Sequence, residues 1–460
     1  MIDATGSGPQ LDSTVIISKA RISAVGKFSS VEIPRGARIV DGSGKFLIPG
    51  LADMHLHLTG AGEPNGSREF ELPLLVANGI TTVRDMGGKV EFLKELRKEI
   101  ASGKQIGPQI FFVGPYLDGN PPSFQPSIVV QNAAEAAAAV QKLKAEGVDF
   151  IKVQSRLQPE AYFAIAGESK KLGIRFVGHV PDSITAAQAS DAGQFSIEHL
   201  TGVLLACSTR EKELRQRQLA LFPQGETPRE RLTRQRAWEQ DLVDSYSQEK
   251  AAQLFKKFAA NGTWQVPTFP LIIYDPYIPP AFSRMPSPLA RYLPGNLRKM
   301  WEEGRAQGLG GGVNSTTVPD YYDGFFELQD RLAKSEYRAV REMNAAGVPI
   351  MAGTDATAPT IFPGFSLHRD LLYLVEEAGL TPMQALQAAT SKPAQFLGRS
   401  AEQGTITVGK RADLVLLDAD PLQDIGNTEK IRAVVLNGKL LERPDLDALL
   451  AGVERFATTH

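Results

Sequence analysis

The chain has 460 residues, 42% of them hydrophobic, with 50 Lys and Arg against 52 Asp and Glu. That is enough apolar material for one large core and a small second domain, and the balanced charge offers neither a basic field for nucleic acid nor a polybasic run for an anionic membrane. The single cysteine, Cys207, excludes an intramolecular disulfide and a Cys-rich zinc module, and no apolar run reaches the roughly 18 residues of a spanning helix.

Residues 1–48 read as short strands and turns, with β-type runs at 14–17, 21–26 and 37–41 separated by Gly, Pro and Ser. Met1 leads into Ile2-Asp3-Ala4-Thr5-Gly6, with no basic stretch and no apolar core. No signal peptide is read there, so a cytoplasmic location is expected; an exported precursor with its leader removed would begin the same way.

From residue 49 the texture changes. Apolar runs at 51–58, 80–86, 109–117, 149–154, 175–180, 195–200, 263–269 and 348–355 alternate with Ala-, Glu- and Lys-rich helical stretches such as 132–146 and 159–172. Eight strands alternating with helices over roughly 350 residues predict an α/β fold, a (β/α)8 TIM barrel over 49–400. The competing open, doubly wound sheet lacks its Gly-rich phosphate fingerprint. Two insertions stand out, a charged helical one at about 208–260 and a Pro-, Tyr- and Phe-rich one at about 270–330. Both follow the C-terminal ends of strands, the barrel face where active sites form, so a lid or pocket-wall role is expected. Strand texture returns at 404–406, 412–417 and 431–436, with Asn437-Gly438 as a hairpin signal. The two strand-rich ends, 1–48 and 401–460, predict one small composite β-sandwich domain.

Only six histidines are present, and four sit at or near the ends of strand-like runs. In His55-Leu56-His57 the rings are two residues apart on a strand, so both project from one face. A neutral imidazole suits a borderline divalent ion such as zinc, although an isolated His-x-His is a weak signal. His179 and His199 end two further runs. A lone histidine in such a place is usually a satisfied polar residue, but four at strand ends are hard to ascribe to accident. Lys152 lies among large apolar neighbours, where an ammonium is costly unless it is paired or snorkels to water. The same cost favours the neutral amine, which reacts with carbon dioxide to give a carbamate able to bridge two metal ions. Asp355 ends the eighth run and can bind metal and accept a proton, or cap a helix.

Together these features resemble the amidohydrolase superfamily, in the branch of imidazolonepropionase-like, Xaa-Pro dipeptidase-like and ochratoxin-amidase-like enzymes. The resemblance rests on Pro49-Gly50-Leu51-Ala52-Asp53-Met54-His55-Leu56-His57, Gly79-Ile80-Thr81-Thr82-Val83-Arg84-Asp85, the run carrying Lys152, Gly178-His179, Glu198-His199 and Gly353-Thr354-Asp355. Gly404-Thr405-Ile406 and Gly409-Lys410-Arg411-Ala412-Asp413-Leu414-Val415 extend it to the C-terminal region. It implies a barrel with a composite β domain and a binuclear centre. In that centre His55 and His57 hold the more buried ion, His179 and His199 the more exposed one, N6-carboxylated Lys152 bridges, and Asp355 binds and serves as base. Two divalent ions are implied, zinc first, with manganese, cobalt or iron as alternatives.

The expected activity is hydrolysis of an amide-type bond by a hydroxide shared between the ions, on a small molecule such as an N-acyl amino acid, a dipeptide or an aryl amide. A Xaa-Pro-type dipeptidase or carboxypeptidase is the nearest alternative. It is disfavoured because Gly114-Pro115-Tyr116-Leu117-Asp118-Gly119-Asn120 and Gln154-Ser155-Arg156-Leu157 replace the Gly-Gly-His and Ser-Gly-Gly patterns common in such relatives. A mononuclear deaminase would not need Lys152, and a non-catalytic scaffold would not keep all six ligands. Tyr116, Gln154, Arg156 and His368 are the expected substrate contacts, with ordinary loop or helix polarity as the alternative for each. The expected partner is a small-molecule substrate on a homo-oligomer, with neither nucleic acid nor membrane involved.

Overall fold

The computed structural model describes residues 1–58, 66–220, 227–272, 288–299, 301 and 324–460. In chain order its strands are β1 (Ser13–Ser18), β2 (Arg21–Lys27), β3 (Phe46–Pro49), β4 (Leu51–Leu56) and β5 (Ile80–Asp85). Next come β6 (Gln109–Phe112), β7 (Tyr116–Asp118), β8 (Ser127–Val129), β9 (Ile151–Val153) and β10 (Phe176–Gly178). The last are β11 (Ser196–Glu198), β12 (Trp264–Val266), β13 (Leu414–Leu417), β14 (Ile431–Leu436) and β15 (Lys439–Glu442).

The chain divides into two units, one of Met1–Arg84, Lys94–Phe111 and Met351–Ala457, the other of Asp85–Leu93, Phe112–Ile350 and Thr458–His460. These bounds do not follow the divisions expected near residues 48 and 400. In the first unit, β4, β5 and β6 form a sheet in that order, and β1 and β2 form an antiparallel ribbon. A four-stranded antiparallel sheet in the order β15-β14-β13-β3 draws one strand from the N-terminal segment and three from the C-terminal one. Ile22, Ile406, Ala412, Leu414 and Val435 form a buried apolar cluster, with Val15, Val25 and Leu47 packed against it. Asn437 and Gly438 both have positive φ, 51° and 79°, as a two-residue hairpin turn between β14 and β15 demands.

In the second unit six strands run in the order β12-β11-β10-β9-β7-β8, and all five neighbouring pairs are parallel. Helices between the strands make the alternation α/β. Their ends carry the expected signals. Asn132 accepts from the backbone of Glu135 at the start of Ala133–Ala145, and Pro159 opens Pro159–Leu172, which Gly173 closes at φ 63°. The region 208–260 contains the helices Glu211–Leu219, Pro228–Asp244 and Gln248–Asn261. Arg210 and Arg217 both reach Asp241, at 2.6 and 2.5 Å, and such partly exposed pairs add little stability. Of the insertion expected at 270–330, residues 273–287, 300 and 302–323 lie outside the described residues.

The structure departs from the sequence reading at four places. Residues 37–41 are exposed and form no strand. The run 109–117 is two strands, β6 and β7, because Gly114 at φ 71° followed by Pro115 interrupts it. The run 348–355 forms no continuous strand: Ile350 makes an isolated parallel bridge to Gln265, and Ala356, just beyond the run, makes one to Leu56. The C-terminal segment, expected as strands alone, ends in the helix Arg443–Thr459. Among the described residues no helix is long and apolar enough to cross a membrane.

His368 lies on the buried side of the helix Phe365–Glu376 and locks this part of the first unit. Its Nδ1 meets Thr428 Oγ1 at 2.9 Å and its Nε2 meets the Asn78 carbonyl at 3.2 Å. Burial pushes its pKa down from 6.5 to about 4, so the folded state keeps the neutral ring while the unfolded chain takes up a proton below pH 6.5. Stability is therefore expected to fall as pH drops from about 6.5 to about 4, by about 3 kcal/mol from this group at 1.36 kcal/mol per unit. Urea denaturation of wild type and His368→Gln across that range tests this: the variant should be weaker at pH 7 and show a shallower acid loss. Parallel pH profiles would refute it.

Candidate metal centre

The first unit supplies three ligating side chains. His55 and His57 alternate along β4 and its end, and their rings stand 5.5 Å apart at 68°. Both Nε2 atoms face one carboxylate oxygen, Asp355 Oδ1, at 3.4 Å from His55 and 3.1 Å from His57. Ligands at about 2.0–2.2 Å from a tetrahedral ion stand about 3.3–3.6 Å from each other, so the His55 separation fits a shared divalent cation and the His57 one is slightly shorter. His55 is buried, and the side chains of His57 and Asp355 are 19% and 15% exposed, which leaves that side open to a small molecule.

The segment carrying Asp355 is held by backbone and by buried acids. The Thr354 and Asp355 N–H groups donate to the His55 carbonyl, and His57 N–H donates to the Ala356 carbonyl. Asp53, wholly buried on the same strand, accepts from His55 N–H at 3.1 Å, Thr354 N–H at 3.1 Å and the Thr354 hydroxyl at 2.6 Å. Burial pushes the Asp53 carboxyl up to about 7 despite those three donors. Asp370 accepts from Gly353 N–H at 3.1 Å, and the buried Arg84 donates from Nε to the Met54 carbonyl at 2.6 Å. Asp355 itself has a φ of 63°, uncommon for a residue other than glycine and typical of functional positions.

The second unit holds the remaining expected ligands. Lys152 is the middle residue of β9, 1% exposed, with Nζ 5.0 Å from the centre of the Tyr116 ring. That ring lies against Gly87, where a Cβ would come within 2.2 Å of it. His179 and His199 follow β10 and β11, and their rings stand 5.1 Å apart at 86°. Each Nδ1 has a hydroxyl partner, Ser155 Oγ at 3.0 Å for His179 and Thr268 Oγ1 at 2.6 Å for His199. A hydroxyl at Nδ1 is the kind of partner that orients a ligating histidine through its other nitrogen. Gln194, buried, donates to the carbonyls of Gly178, His179 and Ser196, and accepts from the Tyr162 hydroxyl.

Within the first unit the structure thus brings together His55, His57 and Asp355, and within the second His179 and His199. Of the expected substrate contacts, Tyr116 is buried over Lys152, and Gln154 is buried with its Oε1 making no hydrogen bond among the described residues. His368 has both ring nitrogens engaged inside the fold. Arg156 is exposed, and its backbone N–H donates to the buried Asp118 at 2.9 Å. Burial raises nearby Asp182 to about 6, against the pull of Arg156 and Arg215. The sequence reading missed Ser155, Thr268, Gln194 and the supporting role of Asp53. Asp53 had a signal, since it shares the alternation of His55 and His57.

A parallel α/β scaffold with histidines and an aspartate at its strand ends defines a class, and comparison with known proteins agrees. The sequence profile of the amidohydrolase family matches residues 310–441. Over 119 residues the chain is 34% identical to the ochratoxinase of Aspergillus niger, a match covering 25% of this chain and 24% of that protein. The match therefore spans about a quarter of the curated relative's length. The fold is similar to that of a bottromycin amidohydrolase, with TM-score 0.74 and 20% identity over 99% of this chain and 88% of that one. It is also similar to a Xaa-Pro dipeptidase, with TM-score 0.64 and 20% identity over 96% and 97%. Residues 310–441 thus carry similarity to the amidohydrolase family, and the rest of the chain is similar to such proteins in fold.

Thr354 joins the two segments that present His55 and Asp355. Replacing it by Val removes the donor to buried Asp53 and the acceptor for the Ala356 N–H. A loss of about 1–3 kcal/mol in unfolding free energy is expected, largely restored in Thr354→Ser. Urea melts of the two variants check this, and a Val variant as stable as wild type would count against the linkage.

Proposed function

We propose that the protein is a metal-dependent hydrolase that cleaves an amide-type C–N bond in a small molecule. The observation that carries this reading is the convergence of His55 Nε2 and His57 Nε2 on Asp355 Oδ1. The match to the amidohydrolase family over residues 310–441 supports it, as does the His179–His199 pair with hydroxyls at both Nδ1 atoms. The scaffold proposed is a (β/α)8 barrel with a composite β-sandwich domain. His55, His57, Lys152, His179, His199 and Asp355 are proposed to hold two divalent ions, zinc first, with Lys152 carboxylated on its amine. The burial of Lys152 supports that modification, because a protonated amine is disfavoured where water is excluded.

Ions bound there would supply Lewis acidity and a water whose pKa falls from about 15.7 toward neutrality. The chain's own residues do the rest. Asp355 accepts the proton of the attacking water and passes it to the departing nitrogen, a role suited to a carboxylate held by backbone on one side and open on the other. Asp53 and Asp370 keep that segment fixed against β4 and the helix Phe365–Glu376. Arg156, exposed beyond β9, is the residue among the four expected contacts best placed to meet a substrate carboxylate. The substrates that suit this reading are N-acyl amino acids, dipeptides and aryl amides.

Asp355→Asn is expected to lower turnover by about 10²–10⁴-fold while most bound metal is retained. Turnover of the metal-loaded enzyme on N-acyl amino acids, Xaa-Pro dipeptides, lactones and aryl amides, with metal analysis of both proteins, tests the proposal. Near-normal turnover in the variant would remove Asp355 from the role of base, and one ion per chain with Lys152 unmodified would favour a deaminase.

A further inference from the structure

We propose that Thr268 is a positioning residue that fixes the tautomer of His199 and so makes Nε2 its metal-binding nitrogen, an inference that rests on the metal-dependent reading above. His199 follows β11, and its backbone N–H donates to the Val266 carbonyl at 2.9 Å, which sets its ring beside the segment after β12. There Thr268 Oγ1 lies 2.6 Å from His199 Nδ1 and 2.6 Å from the Pro267 carbonyl. A carbonyl oxygen can only accept, so the one hydroxyl proton of Thr268 goes to Pro267. Toward His199 the same oxygen is then an acceptor, and Nδ1 must carry the imidazole proton. In a neutral ring that makes Nε2 the lone-pair nitrogen. The opposite tautomer would put a proton where a cation has to bind, and would set two acceptors against each other at 2.6 Å.

The backbone points the same way. Thr268 is fully buried and has a φ of 55°, in the left-handed region where a β-branched residue is a genuine outlier. His199 and Leu200 share that region at 55° and 51°. Such conformations persist where the surroundings over-determine them, and they cluster at functional sites. Ser155 stands at the same distance range from His179, at 3.0 Å, but its hydroxyl has no second acceptor that decides its direction, so the assignment is made for Thr268 alone.

The test uses full-length protein and three variants, Thr268→Val, Thr268→Ser and Thr268→Ala. Val is nearly isosteric and keeps the β-branch, so it removes the acceptor without changing the backbone demand. In metal-free protein at pH 8, long-range ¹H–¹⁵N correlation reads the tautomer of His199, assigned by loss of its signal in His199→Asn. Wild type and the Ser variant are expected to show the Nδ1–H form, and the Val and Ala variants an appreciable Nε2–H population. Zn²⁺ titration against a chelator should show one ion weakened by about 10–100-fold in Val and Ala, with Ser near wild type. A Val or Ala variant that keeps both the Nδ1–H tautomer and wild-type affinity overturns the proposal, as does an Nε2–H ring in wild type. Should wild type bind no divalent ion, the hydrolase reading fails, while the tautomer measurement still decides the role of Thr268.

Discussion

A neutral imidazole has one nitrogen that donates and one that accepts, and it can hold a cation only through the second. Whatever else a histidine-based metal centre needs, something must occupy the other nitrogen and hold the ring's plane. In the second unit hydroxyls stand at one nitrogen of each ring, Ser155 at His179 and Thr268 at His199, each delivered by the segment that follows a neighbouring strand. β10 and β11 end one residue before their histidines, and the chain after His199 turns through left-handed backbone instead of continuing the ladder. A strand that ran on would point each ring by its own alternation and would give the adjoining loop no access to Nδ1.

In the first unit the same demand for rigidity is met with buried acids. An ionised carboxylate out of water is expensive, and Asp53 shows it, its pKa raised to about 7 by burial even with three donors around it. The fold accepts that cost at a position two residues from His55, where the carboxylate joins the strand of His55 to the loop of Asp355. Asp370, from the helix Phe365–Glu376, clamps the same loop at Gly353. The loop that presents Asp355 is therefore fixed at three successive residues, 353 to 355, by two side chains and one strand backbone. Ligands held this way need little reorganisation when a cation arrives.

How much of this was legible in the sequence depends on whether a feature repeats. Alternation on a strand places His55 and His57 on one face from spacing alone, and a lysine in a short apolar run marks itself by its cost. Parallel strands with intervening helices show in the texture of 149–200, and the structure has them there. The run 109–117 reads as one strand because hydropathy carries through Gly114-Pro115, while the backbone cannot. Residues 37–41 have the right composition for a strand and pair with no strand among the described residues. Ser155 and Thr268 left no trace. A hydroxyl that accepts one hydrogen bond from a distant histidine has no period, no partner nearby in sequence, and looks like any loop serine or threonine.

The same distinction bears on substrate choice. Four polar residues near strand ends were expected to meet substrate, and three of them turn out to be built into the scaffold. Tyr116 covers Lys152 and rests on the bare backbone of Gly87, where a side-chain carbon would collide with its ring. Gln154 is buried, and His368 spans Asn78 and Thr428 inside the first unit. Proximity to a strand end thus marks residues that are buried and bonded within the scaffold as readily as residues open to a ligand. Arg156, three residues past the end of β9, escapes this: its backbone is pinned to Asp118 while its side chain is exposed. Selectivity under the proposed reading then belongs to side chains a few positions past the strands, anchored through their backbone and free to differ in what they present.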